Sequence, residues 1–409
     1  MATTKQKTYN VGGVLLDRPF KVRRLGHFGF NVSKMQESIH FYRNLLGFRV
    51  SDVNNFAAIP ERAKMLKEKG IDLENAKGRF FHYGGDHHAF VLFSKPVMDA
   101  MRGRESGDKD VNQITWQTGS LAEVVNSVDY FAEHEVRIAR SGRDMPGSNW
   151  HTYVLDPDGH TNELYYGIEQ VGWNGRSKPI EMYYKRFTEK ATLPQPSEED
   201  EIQEAIAKGI DVNSGYRDLE DMPRKYDVEG ILLARPFKIT KIGPVGMFVD
   251  DVDASLAFYT EEMGFTLTDE VKYKGKKFAF LRTGTEHHSM SLWPKALRGE
   301  MGFWEGSACA SFGVEVGSYE QLRNAVAFLE ENGVEIREVP AELHPGIDYT
   351  VHAIDPEGHA IQLYYYMENV GWQGAPRGAY KHTPLREWPE TVAPRSDTFA
   401  DQTFQGPLG

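Results

Sequence analysis

The chain is written twice, and a duplication limits its fold more than any other feature does. Val11–Val22 (VGGVLLDRPFKV) returns as Val228–Ile239 (VEGILLARPFKI), and Phe41–Phe48 (FYRNLLGF) returns as Phe258–Phe265 (FYTEEMGF). Asp156–His160 (DPDGH) returns as Asp355–His359 (DPEGH), and Val171-Gly172-Trp173 returns as Val370-Gly371-Trp372. The spacing shortens between the early and the late matches, so the first copy carries about 18 extra residues, which fall within the charged stretch Asn54–Gly78. The copies occupy residues 11–175 and 228–374. Residues 176–227, rich in charge and proline, read as a linker with one short helix (Ile202–Lys208), and residues 375–409 as a C-terminal tail.

Each copy divides again. Leu25–Val32 alternates like a strand, and Ser33 then opens a helix with Ile39, Tyr42 and Leu46 on its apolar face and Gly47 at its end. Further strand-like segments run to Ala89–Phe93. The order restarts with a strand at Ile114–Thr118. Ser120 and Glu123 then form a capping box before a helix with Leu121, Val124, Val125, Val128 and Phe131 at helical spacing. Strands Trp150–Leu155 and Asn162–Tyr166 follow, joined by the turn at Asp156–His160. The second copy repeats this, with Ser318 and Gln321 as its capping box. The expected class is α+β, four βαβββ modules paired into two domains, each a curled antiparallel or mixed sheet around a pocket.

These modules, with LGHFGFNV at 25–32, HHAFVLF at 87–93 and YVLDPDGHTNELYYG at 153–167, resemble the vicinal oxygen chelate superfamily. Within that glyoxalase-like fold the chain is most similar to the two-domain type I extradiol ring-cleavage dioxygenases. The resemblance implies a non-haem Fe(II) enzyme of aromatic catabolism that opens a catechol-like ring with O2. It implies metal ligands at His27, Gln113 and Glu163, an acid/base at His88, and a substrate-binding Tyr at Tyr153. The family has a His where Gln113 stands, and it usually keeps its iron in the second domain. Here the second copy has Pro244, Ser311 and Gln362 at the ligand positions, so the chemistry is expected in the first.

The residues support this on their own terms. A carboxylate on an apolar strand, as Glu163 is, is costly unless paired or bound to metal. With the turn at 156–160, Tyr153 falls opposite Glu163 and His151 opposite Tyr165, which sends all four to one face. Two His and a carboxylate are a non-haem Fe(II) ligand set. Gln113 leaves three readings: it coordinates (the favoured one), His151 supplies the missing imidazole, or the site is degraded. A pair like His87-His88 recurs at His287-His288 without the ligands, which keeps a structural role open for His88. The Asp-Pro-x-Gly-His turns and the Val-Gly-Trp segments are expected to be structural. An O2-independent isomerase, lyase or hydrolase using Mn, Zn, Ni or Co, and a small-molecule binding protein without turnover, are the competing functions.

Composition narrows the partners. A net charge of −12 argues against nucleic acid or an anionic membrane. One cysteine, Cys309, fits a reducing compartment, and no apolar run nears the roughly 18 residues of a membrane span. A cytoplasmic homo-oligomer acting on a small aromatic molecule is the expectation.

Overall fold

The computed structural model describes residues 7–147, 149–370, 374–377 and 383–393, the side chains of 183–185 apart. Each copy opens with a two-stranded hairpin, β1 (Tyr9–Val11) with β2 (Val14–Leu16) and β11 (Tyr226–Val228) with β12 (Ile231–Leu233). The first copy then runs β3 (Arg24–Val32), β4 (Arg49–Asn55), β5 (Lys77–His82), β6 (Phe90–Ser94), β7 (Val111–Gln117), β8 (Ile138–Arg143), β9 (Trp150–Leu155) and β10 (Thr161–Tyr166). They form one sheet in the order β4-β5-β6-β3-β7-β10-β9-β8. The second copy has β13 (Ile239–Val249), β14 (Thr266–Tyr273), β15 (Lys276–Arg282), β16 (Met290–Pro294), β17 (Cys309–Val316), β18 (Ile336–Arg337), β19 (Thr350–Ile354) and β20 (Ala360–Tyr364). Its order, β14-β15-β16-β13-β17-β20-β19-β18, is the same permutation. The four expected modules are all present, and both sheets are mixed: β3 is parallel to β6 and antiparallel to β7.

Alternation on β3 sorts its side chains. Phe28 stacks on Phe312 of the second copy at 4.8 Å, and Phe30 stacks on the His359 imidazole at 3.8 Å. His27, one residue before Phe28, points to the opposite face. A single apolar core therefore runs through both copies, and the back of each central strand packs on the other.

Local details depart from expectation for physical reasons. Ser33 is not the cap: the helix starts after Lys34 without a side-chain cap, and Glu357 of the second copy accepts from the Ser33 and Lys34 N–H groups instead. The helix Met35–Ile39 passes into a π-helical turn, His40–Leu45, which is matched by Phe258–Glu262. Gly47 ends it at φ +92°, a conformation that favours glycine. Ser120 does cap the helix Leu121–Glu133, but Glu123 sends its second carboxylate oxygen to the Lys21 N–H at 2.9 Å. Gln321 does the same with Lys238, so this fastening of the preceding loop is itself duplicated.

The extra residues of the first copy fold as a helix, Pro60–Glu68, between two short 3-10 turns. Phe56 packs on Phe93 at 5.5 Å, Phe93 on Phe80 at 5.8 Å, and Phe80 on His88 at 5.1 Å, so a run of rings leads from the insertion to His88. The linker is strapped down, not loose. Its helix, Glu198–Ala207, begins at a Ser197–Asp200 capping box. Glu201 receives a buried two-pronged bond from Arg143 (2.6 and 2.9 Å), and Asp218 is gripped by Arg43. Trp173 is fully exposed and seals nothing, whereas Val370 is buried; Gly371 and Trp372 lie outside the described residues.

The Asp-Pro-x-Gly-His turns tie one copy to the other. Tyr42 of the first copy donates to Asp355 (2.9 Å), and Tyr259 of the second donates to Asp156 (3.0 Å). His359 lies between Asp355 (2.8 Å) and Asp110 of the first copy (2.5 Å), with all three side chains buried.

Candidate functional site

Four strands of the first sheet place one row of side chains on its inner face. His27 on β3 is opposite Thr115 on β7, Thr115 is level with Glu163 on β10, and Glu163 is opposite Tyr153 on β9. The pairings of Tyr153 with Glu163 and of His151 with Tyr165 are those expected from the hairpin. A register shift in β3 between Leu25 and His27 turns His27 into the row. Gly26 at this shift makes room for the Tyr165 ring, since a Cβ there would lie 2.2 Å from it.

The row converges on Glu163, which is fully buried. Its Oε2 lies 3.0 Å from His27 Nε2, and it also accepts from Gln113 Nε2 (3.0 Å) and the Thr115 hydroxyl (2.8 Å). Its Oε1 accepts from Asn149 Nδ2 at 2.6 Å. Burial alone pushes the carboxyl up, but the neighbouring His27 and these donors hold it down to about 2. It is a carboxylate at any ordinary pH.

The other expected residues surround this centre. The His88 ring is 4.3 Å from that of His27, and its Nδ1 meets His87 Nδ1 at 3.0 Å. Burial, with His27 and His87 beside it, pushes His88 well below the usual histidine range. It is therefore neutral. The Tyr153 hydroxyl stands 3.4 Å from Gln113 Oε1, and burial next to Glu163 keeps it protonated. The His151 ring is 4.7 Å from the Tyr153 ring, and its Nδ1 is 3.6 Å from Asp144. Burial pushes His151 down as well. All six residues expected from the sequence lie together on this side of the sheet, His27 and Gln113 on Glu163, Tyr153 beside Gln113, His151 beside Tyr153 and His88 beside His27.

Three further elements were not anticipated. Thr115 lies two residues beyond Gln113 on the same face, so strand alternation alone was enough to find it. Asn149 continues the alternation of His151 and Tyr153 one step into the loop before β9. Arg140 lies over the Tyr153 ring at 4.3 Å and pairs with Asp144, which fixes that ring from outside.

Among the described residues no group of three or more His, Cys, Asp or Glu side chains is arranged to hold a metal ion. A third donor has to come from Gln113, and on that basis the set fits a divalent ion. The His27 and Gln113 nitrogens both lie 3.0 Å from Glu163 Oε2. These are ordinary hydrogen-bond distances, and they bring both side chains to the one carboxylate oxygen that a divalent ion would share with them. A half-turn of the Gln113 amide brings its oxygen to the same point. Five buried polar atoms around this centre, His27 Nδ1, His87 Nε2, both His151 ring nitrogens and the Tyr165 hydroxyl, make no hydrogen bond within the protein. The second copy offers no counterpart: Pro244 replaces His27, Gly313 is level with Gln362, and Ser311 bonds His352 at 3.2 Å.

The model of the Glyoxalase/Bleomycin resistance protein/Dioxygenase superfamily matches residues 24–164 and 241–363. Metapyrocatechase 2 of Cupriavidus necator is 28% identical over 149 residues, 36% of this chain and 38% of that protein, so the match spans well under half of the relative. Among solved structures, homoprotocatechuate 2,3-dioxygenase from Arthrobacter globiformis aligns with a TM-score of 0.54 at 16% identity, covering 90% of this chain and 87% of that one. An Mn(II)-bound glyoxalase from Novosphingobium aromaticivorans aligns with a TM-score of 0.53 at 14% identity, covering 90% of each. At these identities the structural likeness concerns the fold.

Proposed function

We propose, for a chain that belongs to the Glyoxalase/Bleomycin resistance protein/Dioxygenase superfamily, that its first copy is a divalent-metal enzyme acting on a catechol-like aromatic ring, most simply an extradiol-type Fe(II) dioxygenase. The observation that carries this reading is the convergence of His27, Gln113 and Thr115 on the one buried oxygen of Glu163, in the copy that keeps the ligands. The names metapyrocatechase and homoprotocatechuate 2,3-dioxygenase among the proteins it resembles lend it support.

His27, Glu163 and Gln113 would hold the ion. When bound, it supplies Lewis-acid attachment for two vicinal oxygens and, as Fe(II), a place for O2. The protein's own groups do the rest. His88, neutral and beside His27, is placed to accept a proton from a substrate hydroxyl. Tyr153, held by Arg140, presents a protonated hydroxyl to a substrate oxygen. The Phe80 ring, edge-on to His88, provides an apolar wall for a flat ligand.

The test is to load the protein anaerobically with Fe(II), admit O2 with a panel of catechols, and follow O2 uptake and the visible absorbance of ring-opened products. Uptake with at least one catechol is expected. Gln113 gives a specific ground for a second reading, because an oxygen donor in place of imidazole suits Mn(II) and chemistry without O2. Turnover that persists under strict anaerobiosis with Mn, Zn, Ni or Co would favour that reading, and ligand binding without any turnover would favour a binding protein. Gln113→His is expected to tighten retention of Fe(II) by at least about tenfold, since even outer partners of a metal ligand move affinity that much. Unchanged metal content after dialysis would place Gln113 outside the shell.

A further inference from the structure

We infer that Asn149 is a positioning residue that holds Glu163 as a one-oxygen metal ligand, an inference that rests on the metal site proposed above. Asn149 is buried, and its Nδ2 takes Glu163 Oε1 at 2.6 Å, the shortest of the four bonds to that carboxylate. The other three contacts, from His27, Gln113 and Thr115, all fall on Oε2. The two oxygens are thereby given different work. Oε1 is committed to the Asn149 amide, and Oε2 alone faces the His27 and Gln113 side chains. Without Asn149 the carboxylate is free to rotate about its last bond and offer both oxygens.

Asn149 is itself held in place. It follows the loop that starts at Asp144, and the Asp144 N–H donates to the Asn149 carbonyl at 3.1 Å. The Gly147 carbonyl in that loop accepts from the Glu169 N–H at 2.8 Å. Arg143, just before the loop, is clamped by Glu201 of the linker. The amide is therefore delivered by a fastened backbone.

The second copy provides an internal control. Repeat register aligns Asn149 with Asp348 and Glu163 with Gln362, so amide and carboxylate have changed places. There Asp348 is held by Arg377, at 2.7 and 3.0 Å. The copy that lost its ligand carboxylate also lost the amide that would orient it. A merely structural amide in this loop would have no reason to change together with position 163.

The experiment measures Mn(II) affinity and the ligand-field spectrum of the Co(II)-substituted full-length protein, for wild type, Asn149→Ala, Asn149→Leu and, as a control, Asp348→Asn. Mn(II) affinity is expected to fall about 10–100-fold in both Asn149 variants. The Co(II) bands should shift as the carboxylate changes its binding mode, and Asp348→Asn should match wild type. A loss of folding stability alone would not move the Co(II) bands of the folded fraction. Wild-type affinity and spectrum in both Asn149 variants would overturn the positioning role while leaving the metal site standing. A wild-type protein that binds neither Mn(II) nor Co(II) would overturn the metal reading, and the positioning role with it.

Discussion

Glu163→Gln is expected to weaken divalent-metal binding by more than about 100-fold, the upper range for losing an outer partner of a ligand, because here the charged ligand itself is removed. The substitution keeps shape and volume and changes only charge and donor pattern. In the wild type three groups turn toward Oε2 and Asn149 toward Oε1, and every contact suits a carboxylate that only accepts. An amide puts an NH2 against at least one of these donors, which leaves buried donors unpaired at a cost of about 1–3 kcal/mol. The second copy already carries this state at Gln362, in a protein whose two copies share a core, so the fold is expected to survive. The pH dependence follows from the depressed carboxyl. Its folded value, about 2, lies below the unfolded value of 4.5. Its contribution to stability is therefore complete above the unfolded value and is lost as pH falls through the folded one. The variant should lack that part of the acid transition. Measurement consists of metal titration at neutral pH and urea unfolding between pH 2 and 7. Wild-type metal affinity in the variant would remove Glu163 from the site and end the proposal built on it.

Much of this site could be read before the fold was known, because β-structure makes side-chain direction a matter of counting. The pairing of Tyr153 with Glu163 and His151 with Tyr165 required only the turn position and a period of two. Comparing the copies then separated His27 and Glu163 from residues kept in both. Thr115 and Asn149 escaped for a different reason. Their residue types are common and suggest no chemistry until a carboxylate is seen next to them. The cross-copy contacts were hidden more deeply. A sequence repeat reveals what each unit resembles, but not which surface of one unit meets the other. Glu357 capturing the Ser33 N–H, Tyr42 reaching Asp355 and Asp110 reaching His359 all depend on that docking. The Asp-Pro-x-Gly-His turn reads as structural, yet the Asp of both turns and the His of the second serve the interface as well.

The largest effect on stability is expected at that interface, from His359→Leu. His359 is fully enclosed, with Asp355 on one ring nitrogen and Asp110 on the other, and its ring lies flat against Phe30. Burial disfavours its charge, but Asp355 and Asp110 outweigh this and raise it to about 10. Leucine keeps an apolar contact for Phe30 but leaves two buried carboxylates without their shared cation. Removing one partner from a buried ion pair costs about 3–5 kcal/mol, and here two anions lose the same partner. His160 is the control within the chain. Its ring bonds only Asp156, at 3.0 Å, because the second copy has Ala308 where the first has Asp110. His160→Leu should therefore cost clearly less. The pH profile adds a second signature. A histidine whose folded value exceeds its unfolded value of 6.5 contributes fully below 6.5 and loses that contribution as pH rises through about 10. Wild-type stability should decline across that alkaline window, and His359→Leu should be flatter there as well as weaker at pH 7. Equilibrium urea unfolding of the three proteins at pH 6, 8 and 10 measures both. Equal losses for the two histidine variants, or an unchanged alkaline slope, would mean that His359 is not the charged link between the copies.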